Sequence, residues 1–260
     1  MHNGGLSAID RNAHHAAIAR ASRFAAVVCP SAEVVLLAGS ASRGEATPHS
    51  DLDIVALFNA LPSGAYREMY KFENHDFELF AHDFQTLTYF CREMERPSGR
   101  PALASMVVEG IEILSTNSLL LAEARKACAD TLQAGPPTLT ADALQSRRYA
   151  ITDLLSALLG ATDQTTLIAC GSTLYDALSD FSLRAAGHWS ASGKAIPKAL
   201  GRFDPALASR FFAAFSALFT HSNLQPAEEL VDLVLAPYGG RLRAGFRQEA
   251  PAEWRDPPAR

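Results

Sequence analysis

The run Gln133-Ala-Gly-Pro-Pro137 constrains this chain more than any other feature, because a glycine followed by two prolines cannot continue a helix or a central strand. The hydrophobic patterns on its two sides differ. Before it, short Leu-rich and β-branched runs alternate with polar loops; after it, every apolar pattern has helical spacing. The fold class expected is therefore α+β, an N-terminal mixed sheet followed by a C-terminal helical bundle. With 260 residues, 48% of them hydrophobic, the chain can build a core on each side of the break.

In the first half, the spacing predicts a helix over Ser7–Val28, stopped by Pro30. Strands follow at Glu33–Ala38, closed by Gly39-Ser40, at Asp51–Phe58, and at Phe77–Ala81, where Glu78 faces away from Phe77 and Leu79. A short helix over Thr86–Glu95 is expected to break at Arg96–Pro101, and Val107–Leu114 reads as a last strand or a helix-turn-strand unit. In the second half, helices are expected over Thr140–Leu159, Thr165–Ala186, from the Asp204-Pro205 cap to about Thr220, and over Pro226–Leu235. These elements predict a first domain over 1–118, a linker over 119–137, a helical domain over 138–248 and a disordered tail over 249–260.

No apolar run approaches the ~20 residues of a membrane span, the longest candidate being Phe211–Phe219. The N-terminus lacks the basic cluster and apolar core of a signal peptide, so a cytoplasmic location is expected. Cys29, Cys91, Cys128 and Cys170 are too scattered for a zinc site or a disulfide framework and read as reduced thiols. The net charge of −5 argues against a nucleic-acid partner. All of it falls in residues 1–118, where nine Lys and Arg face fourteen Asp and Glu, so the acidity lies where a cation site would need it.

Chemistry concentrates in Gly39-Ser40-Ala-Ser-Arg43-Gly44-Glu-Ala-Thr-Pro-His-Ser50-Asp51-Leu52-Asp53. Residues i and i+2 of a strand project from one face about 6.6 Å apart, so Asp51 and Asp53 point the same way. Two such carboxylates repel unless a cation lies between them, and hard oxygen ligands select Mg²⁺ or Mn²⁺. The strand-to-turn at Gly39-Ser40 lets backbone N–H groups and a hydroxyl approach phosphate oxygens.

The turn, the spacing of about ten residues and the Asp-x-Asp strand together resemble the DNA polymerase β-like nucleotidyltransferase superfamily, over roughly residues 30–118. The resemblance implies an N-terminal nucleotidyltransferase domain with two Mg²⁺ ions (Mn²⁺ being possible) held by Asp51, Asp53 and a third carboxylate from a neighbouring strand. Glu78 fits that third place best, with Asp76 and Asp83 as competitors. Gly39, Ser40, Arg43 and Ser50 are the nucleotide-binding candidates, Arg43 serving either a phosphate or the bracing of the loop. The implied reaction moves a nucleoside monophosphate from an NTP, ATP being expected, to a hydroxyl of a small acceptor, and releases pyrophosphate.

The second half resembles the helical domains of kanamycin- and other aminoglycoside-type nucleotidyltransferases through Tyr149–Asp153, Trp189–Lys194 and Pro237–Gly240. That likeness implies a cleft-covering role and names no acceptor. Asp153, opposite the Ile151/Leu154/Leu155/Leu158 stripe, is the candidate to take the acceptor's proton, with Asp176 in reserve and a solvated helix face as the plainer reading. Lys194 is a candidate for the triphosphate, or a solvated loop lysine. Asp180 and Arg184 read as an exposed i,i+4 pair and His14-His15 as surface. Two other classes stay open, a protein AMP-transferase and a non-catalytic antitoxin-like partner, the second disfavoured by length.

Overall fold

The computed structural model describes residues 8–250 together with Trp254 and Arg255. Two compact units divide between Gly135 and Pro136, inside the Gly-Pro-Pro run. Most of the tail expected over 249–260 lies outside the described residues.

In the first unit, helix α1 (Ala8–Val28) precedes a five-stranded mixed sheet of order β3-β4-β2-β1-β5. The strands are β1 (Val34–Leu37), β2 (Leu52–Leu57), β3 (Tyr66–Phe72), β4 (His75–His82) and β5 (Ile111–Ser115). β1 runs antiparallel to β2 and β5, β2 is parallel to β4, and β3 is antiparallel to β4. Alternation along the strands makes two apolar faces. Val35, Leu37, Ile54, Ala56, Phe77 and Leu79 pack on α1 through Ala21 and Phe24. Val34, Leu36, Val55 and Leu57 pack on the opposite layer through Leu87, Val107, Leu121 and Cys128. Phe24 stacks on Phe77 with centroids 4.3 Å apart and planes 3° from parallel, an arrangement that contributes about 0.5–1.5 kcal/mol beyond area burial.

The opposite layer sharpens three expectations. Helix α3 (Phe84–Tyr89) runs three residues past the expected end at Glu95; it widens into a π-helical turn over Phe90–Glu95 and continues as α4 (Arg96–Ser98). The wider turn accommodates the proline ring that an α-helical interior would exclude. Gly99, at φ 74°, ends the helical path inside the expected break at Arg96–Pro101. Of the two readings of Val107–Leu114 the helix-turn-strand unit is the one found: helix α5 (Ala102–Glu109), which starts earlier than expected, leads through Gly110 into β5. The stretch expected to be a linker is helix α6 (Ser118–Ala134), capped by the Asn117 side chain on the Leu120 N–H. Its buried Leu121, Ala124 and Cys128 make it part of the first unit's core. The chain leaves that unit only at Gly135.

The second unit is mostly helical: α2, the single turn Gly39–Ser42, belongs to the first unit, and α7 (Ala141–Leu159), α8 (Gln164–Arg184), α9 (Ile196–Phe203), α10 (Pro205–His221) and α11 (Gln225–Leu235) form the second. Thr140, Asp163 and Asp204 cap α7, α8 and α10 with side-chain oxygens on free N–H groups, at about 1 kcal/mol each. Ile151, Leu155, Leu174, Leu178, Phe181 and Phe211 are fully buried at its centre. Helix α9, which closes on Ile196 and Leu200, was not anticipated.

Candidate functional site

Asp51 immediately precedes β2, Asp53 is its second residue, and in the parallel register Asp53 lies directly beside Glu78 of β4. The register puts Asp53 and Glu78 on the same face of the sheet as Val55, away from α1. The three carboxylates offer ligand oxygens that all lie within 4.8 Å of one another. Asp51 and Asp53 are half-buried and Glu78 is buried. At 4.8 Å and an effective dielectric near 20, two bare carboxylates repel by on the order of 3 kcal/mol, so the cluster favours a cation among its oxygens. Hard, anionic oxygen donors converging in this way fit Mg²⁺ or Mn²⁺.

The end of β1 fits around this cluster. The Ala38 N–H donates to the Asp53 carbonyl at 2.8 Å, and the chain then turns at Gly39 with φ 64°. A Cβ on Gly39 would stand 1.8 Å from Asp53 Oδ2, so the carboxylate occupies the space any other side chain would fill. The turn expected at Gly39-Ser40 is the single helical turn α2, in which Ser42 Oγ donates to the Gly39 carbonyl at 2.9 Å. His14, expected at the surface, reaches from α1 and bonds the Ala41 carbonyl through Nδ1 at 3.0 Å, tying the first helix to this segment.

The loop that follows is held mostly by its own side chains. Arg43 pairs with Glu45 at 2.8 Å and with Glu109 of α5 at 3.3 Å, so of its two expected roles the geometry displays bracing of the loop. Ser50 Oγ accepts the Thr47 N–H at 2.9 Å and bonds the Thr47 hydroxyl at 3.1 Å. Ser40 is half-buried within α2.

The competitors for the third carboxylate are engaged elsewhere. Asp76 pairs with Lys71 at 2.9 Å across the β3–β4 hairpin. Asp83 caps α3, accepting the Thr86 N–H at 2.8 Å and the Leu61 N–H at 3.1 Å. Burial pushes its carboxyl up, yet these bonds and the Thr86 hydroxyl outweigh it and hold the group below the usual carboxylate value. His82, on the face of Glu78 at the far end of β4, is buried with Nδ1 unbonded, and desolvation lowers its basicity.

Sequence reasoning missed Arg67. It stands on β3, an edge strand whose residues are almost all exposed and which therefore shows no core-facing period. Its Nε donates to Glu78 Oε1, and its guanidinium carbon lies 5.2 Å from the centre of the Phe80 ring. The bond to Glu78 raises the basicity of Arg67 most, burial opposes it, and the charges of Glu78, Asp53 and Asp51 add to the rise.

In the second unit, Asp153 pairs with Arg243 at 3.3 Å and its side chain is 55% exposed. Lys194 is exposed in the single turn Gly193–Ala195, and Asp176 is exposed on α8. Asp180 does not face solvent with Arg184 as expected. It pairs with Arg147 of α7, while Arg184 is buried and donates to the Pro137 carbonyl at 2.9 Å. Packing of α7 against α8 supplied a partner that helical spacing cannot reveal. Among the described residues no helix is long and apolar enough to cross a membrane.

Residues 25–101 match the family model of the nucleotidyltransferase domain, a span that contains Gly39, Ser40, Asp51, Asp53 and Glu78. No curated protein matches the chain. Among solved structures, a nucleotidyltransferase-like protein from Exiguobacterium sibiricum 255-15 is 13% identical with a TM-score of 0.43, over 86% of this chain and 74% of that one. Neither match names an aminoglycoside-type enzyme.

Proposed function

We propose that this protein transfers a nucleoside monophosphate from an NTP, with ATP the expected donor, to a hydroxyl of a small acceptor, releasing pyrophosphate. The observation that carries this reading is the convergence of Asp51, Asp53 and Glu78 beside the Gly39 cradle, inside the span that matches the nucleotidyltransferase domain.

In this reading Asp51, Asp53 and Glu78 hold one or two divalent ions, Mg²⁺ or Mn²⁺. A divalent ion bound there supplies charge neutralisation to the phosphates and lowers the proton affinity of an acceptor hydroxyl. The chain's own residues do the positioning. Gly39 leaves its Cβ space to the Asp53 carboxylate, and the parallel pairing of β2 with β4 fixes Asp53 beside Glu78. Ser40 offers a hydroxyl to the polyphosphate from a turn that His14 and the Ser42 side chain hold in place. Arg43 and Ser50 keep the loop between α2 and β2 in one conformation through Glu45, Glu109 and Thr47. Rigid placement of this kind supplies most of the rate in phosphoryl chemistry, where little covalent work falls to the protein. Asp153 is assigned to the acceptor's proton and Lys194 to the triphosphate.

The test is a pyrophosphate-release screen over the four NTPs with Mg²⁺ and a panel of aminoglycosides, lincosamides and candidate proteins. Release that depends on both an NTP and an acceptor, and that disappears in Asp53→Asn, supports the reading. Release that persists in Asp53→Asn, or none with any pair, overturns it.

A further inference from the structure

Arg67 is held by its head and free along its arm. Its guanidinium binds the buried Glu78 carboxylate, while 67% of its side chain is exposed. The strand that carries it is at the edge of the sheet, with β4 on one side and, among the described residues, no strand on the other. Phe80, across the strand pair from Arg67, lies under the guanidinium in the same pose, its ring centre 5.2 Å from Cζ. The guanidinium is held there by a charge-assisted hydrogen bond and by the Phe80 ring, both electrostatic contacts that a competing cation at Glu78 would weaken.

The same charge is what a divalent ion needs. Arg67 lies in the field of Glu78, Asp53 and Asp51 together, so it partly neutralises the cluster whose three oxygens are within 4.8 Å of one another. A dication among those oxygens and a guanidinium bonded to one of them repel each other, and the dication gains more from the three carboxylates. A displaced guanidinium keeps five N–H donors in a planar fork, the geometry that binds phosphate oxygens two at a time.

We propose that Arg67 is a stand-in cation for the acidic triad: it holds Glu78 in the metal-free protein, gives it up when a divalent ion enters, and then binds the phosphate oxygens of the incoming nucleoside triphosphate. This rests on the nucleotidyl-transfer reading. It adds that metal alone binds weakly and that metal and triphosphate favour each other, because the triphosphate takes up the arginine that the metal displaces.

Mn²⁺ binding to the full chain, followed by the electron paramagnetic resonance signal of free Mn²⁺, tests it without any turnover. Arg67→Met removes the charge from an exposed arm and is expected to tighten Mn²⁺ binding about tenfold in the absence of nucleotide, while weakening a non-hydrolysable triphosphate analogue about tenfold in its presence. Arg67→Lys, which keeps the charge and loses the fork, should leave Mn²⁺ affinity as in the wild type and still weaken the analogue. Unchanged or weaker Mn²⁺ binding in Arg67→Met overturns the proposal, as does unchanged binding of the analogue. Asp53→Asn separates this from failure of the underlying reading. If it abolishes Mn²⁺ binding and Arg67→Met does not tighten it, only the role of Arg67 is wrong. If Asp53→Asn leaves Mn²⁺ binding intact, the triad is not the metal site and both fall.

Discussion

Replacing Gly39 with alanine puts a methyl group where the Asp53 carboxylate now lies. The added Cβ would stand 1.8 Å from Oδ2 and 2.8 Å from Cγ, so the oxygen must retreat by about 1.6 Å to reach ordinary contact. At φ 64° the alanine also meets a backbone cost of about 1–2 kcal/mol. Gly64→Ala separates the two effects, since Gly64 has φ 84° and nothing within 4 Å of its added Cβ. Both variants should melt a few degrees below the wild type, as a loss of about 1–2 kcal/mol implies for a domain of this size. Only Gly39→Ala should lose turnover, by about 100-fold or more, because a shift of about 1 Å in a catalytic group has that effect. Calorimetric melts and titration with Mn²⁺ read the two effects apart. If Gly39→Ala binds Mn²⁺ and turns over as Gly64→Ala does, the Asp53 carboxylate is not held against Gly39 and the cradle argument is wrong.

Asp204→Ala should destabilise the second unit by about 1 kcal/mol, since one carboxylate oxygen accepts the Ala206 and Leu207 N–H groups at the start of α10; thermal melts check this. Burial holds the folded pKa of His82 below its ordinary value, so the unfolded chain binds its proton first. Its contribution to stability is therefore full above about pH 6.5 and declines as pH falls from there toward the folded pKa, and His82→Leu should flatten that part of the melting-temperature profile. Asp153→Asn should lower kcat by about 10²-fold or more with KM for the NTP unchanged if Asp153 takes the acceptor's proton. An unchanged kcat would leave it as the partner of Arg243 alone.

What could be read from the sequence follows from which residues face a core. β1, β2 and β4 were legible because Val34–Leu37, Ile54–Leu57 and the Phe77/Leu79 pair are buried and carry apolar runs or alternation. Asp51, Asp53 and Glu78 interrupt those patterns at their ends or on one face, which made them visible as a group. β3 has no buried residue, so Tyr66–Phe72 gave no period, and Arg67 was lost with it. The structure joins β3 to β4 through the two-residue loop Glu73-Asn74, whose φ of 47° and 61° suit a type I′ turn. Helix α6 was hidden because its buried face includes small Ala124, Ala127 and Cys128. The His14 contact with Ala41 and the Arg147–Asp180 pair join residues far apart in the chain, which no local pattern encodes.

Nucleotidyl transfer requires that an NTP be cleaved between its α- and β-phosphates and that its α-phosphate move to the acceptor. Parallel reactions with α-labelled and γ-labelled NTP measure it most directly, using an acceptor from the pyrophosphate screen. The α label is expected to move onto the acceptor and the γ label to leave as pyrophosphate in equal amount, and both are expected to vanish in Asp53→Asn. Label from the γ position on the acceptor, release of inorganic phosphate in place of pyrophosphate, or undiminished transfer by Asp53→Asn would contradict it.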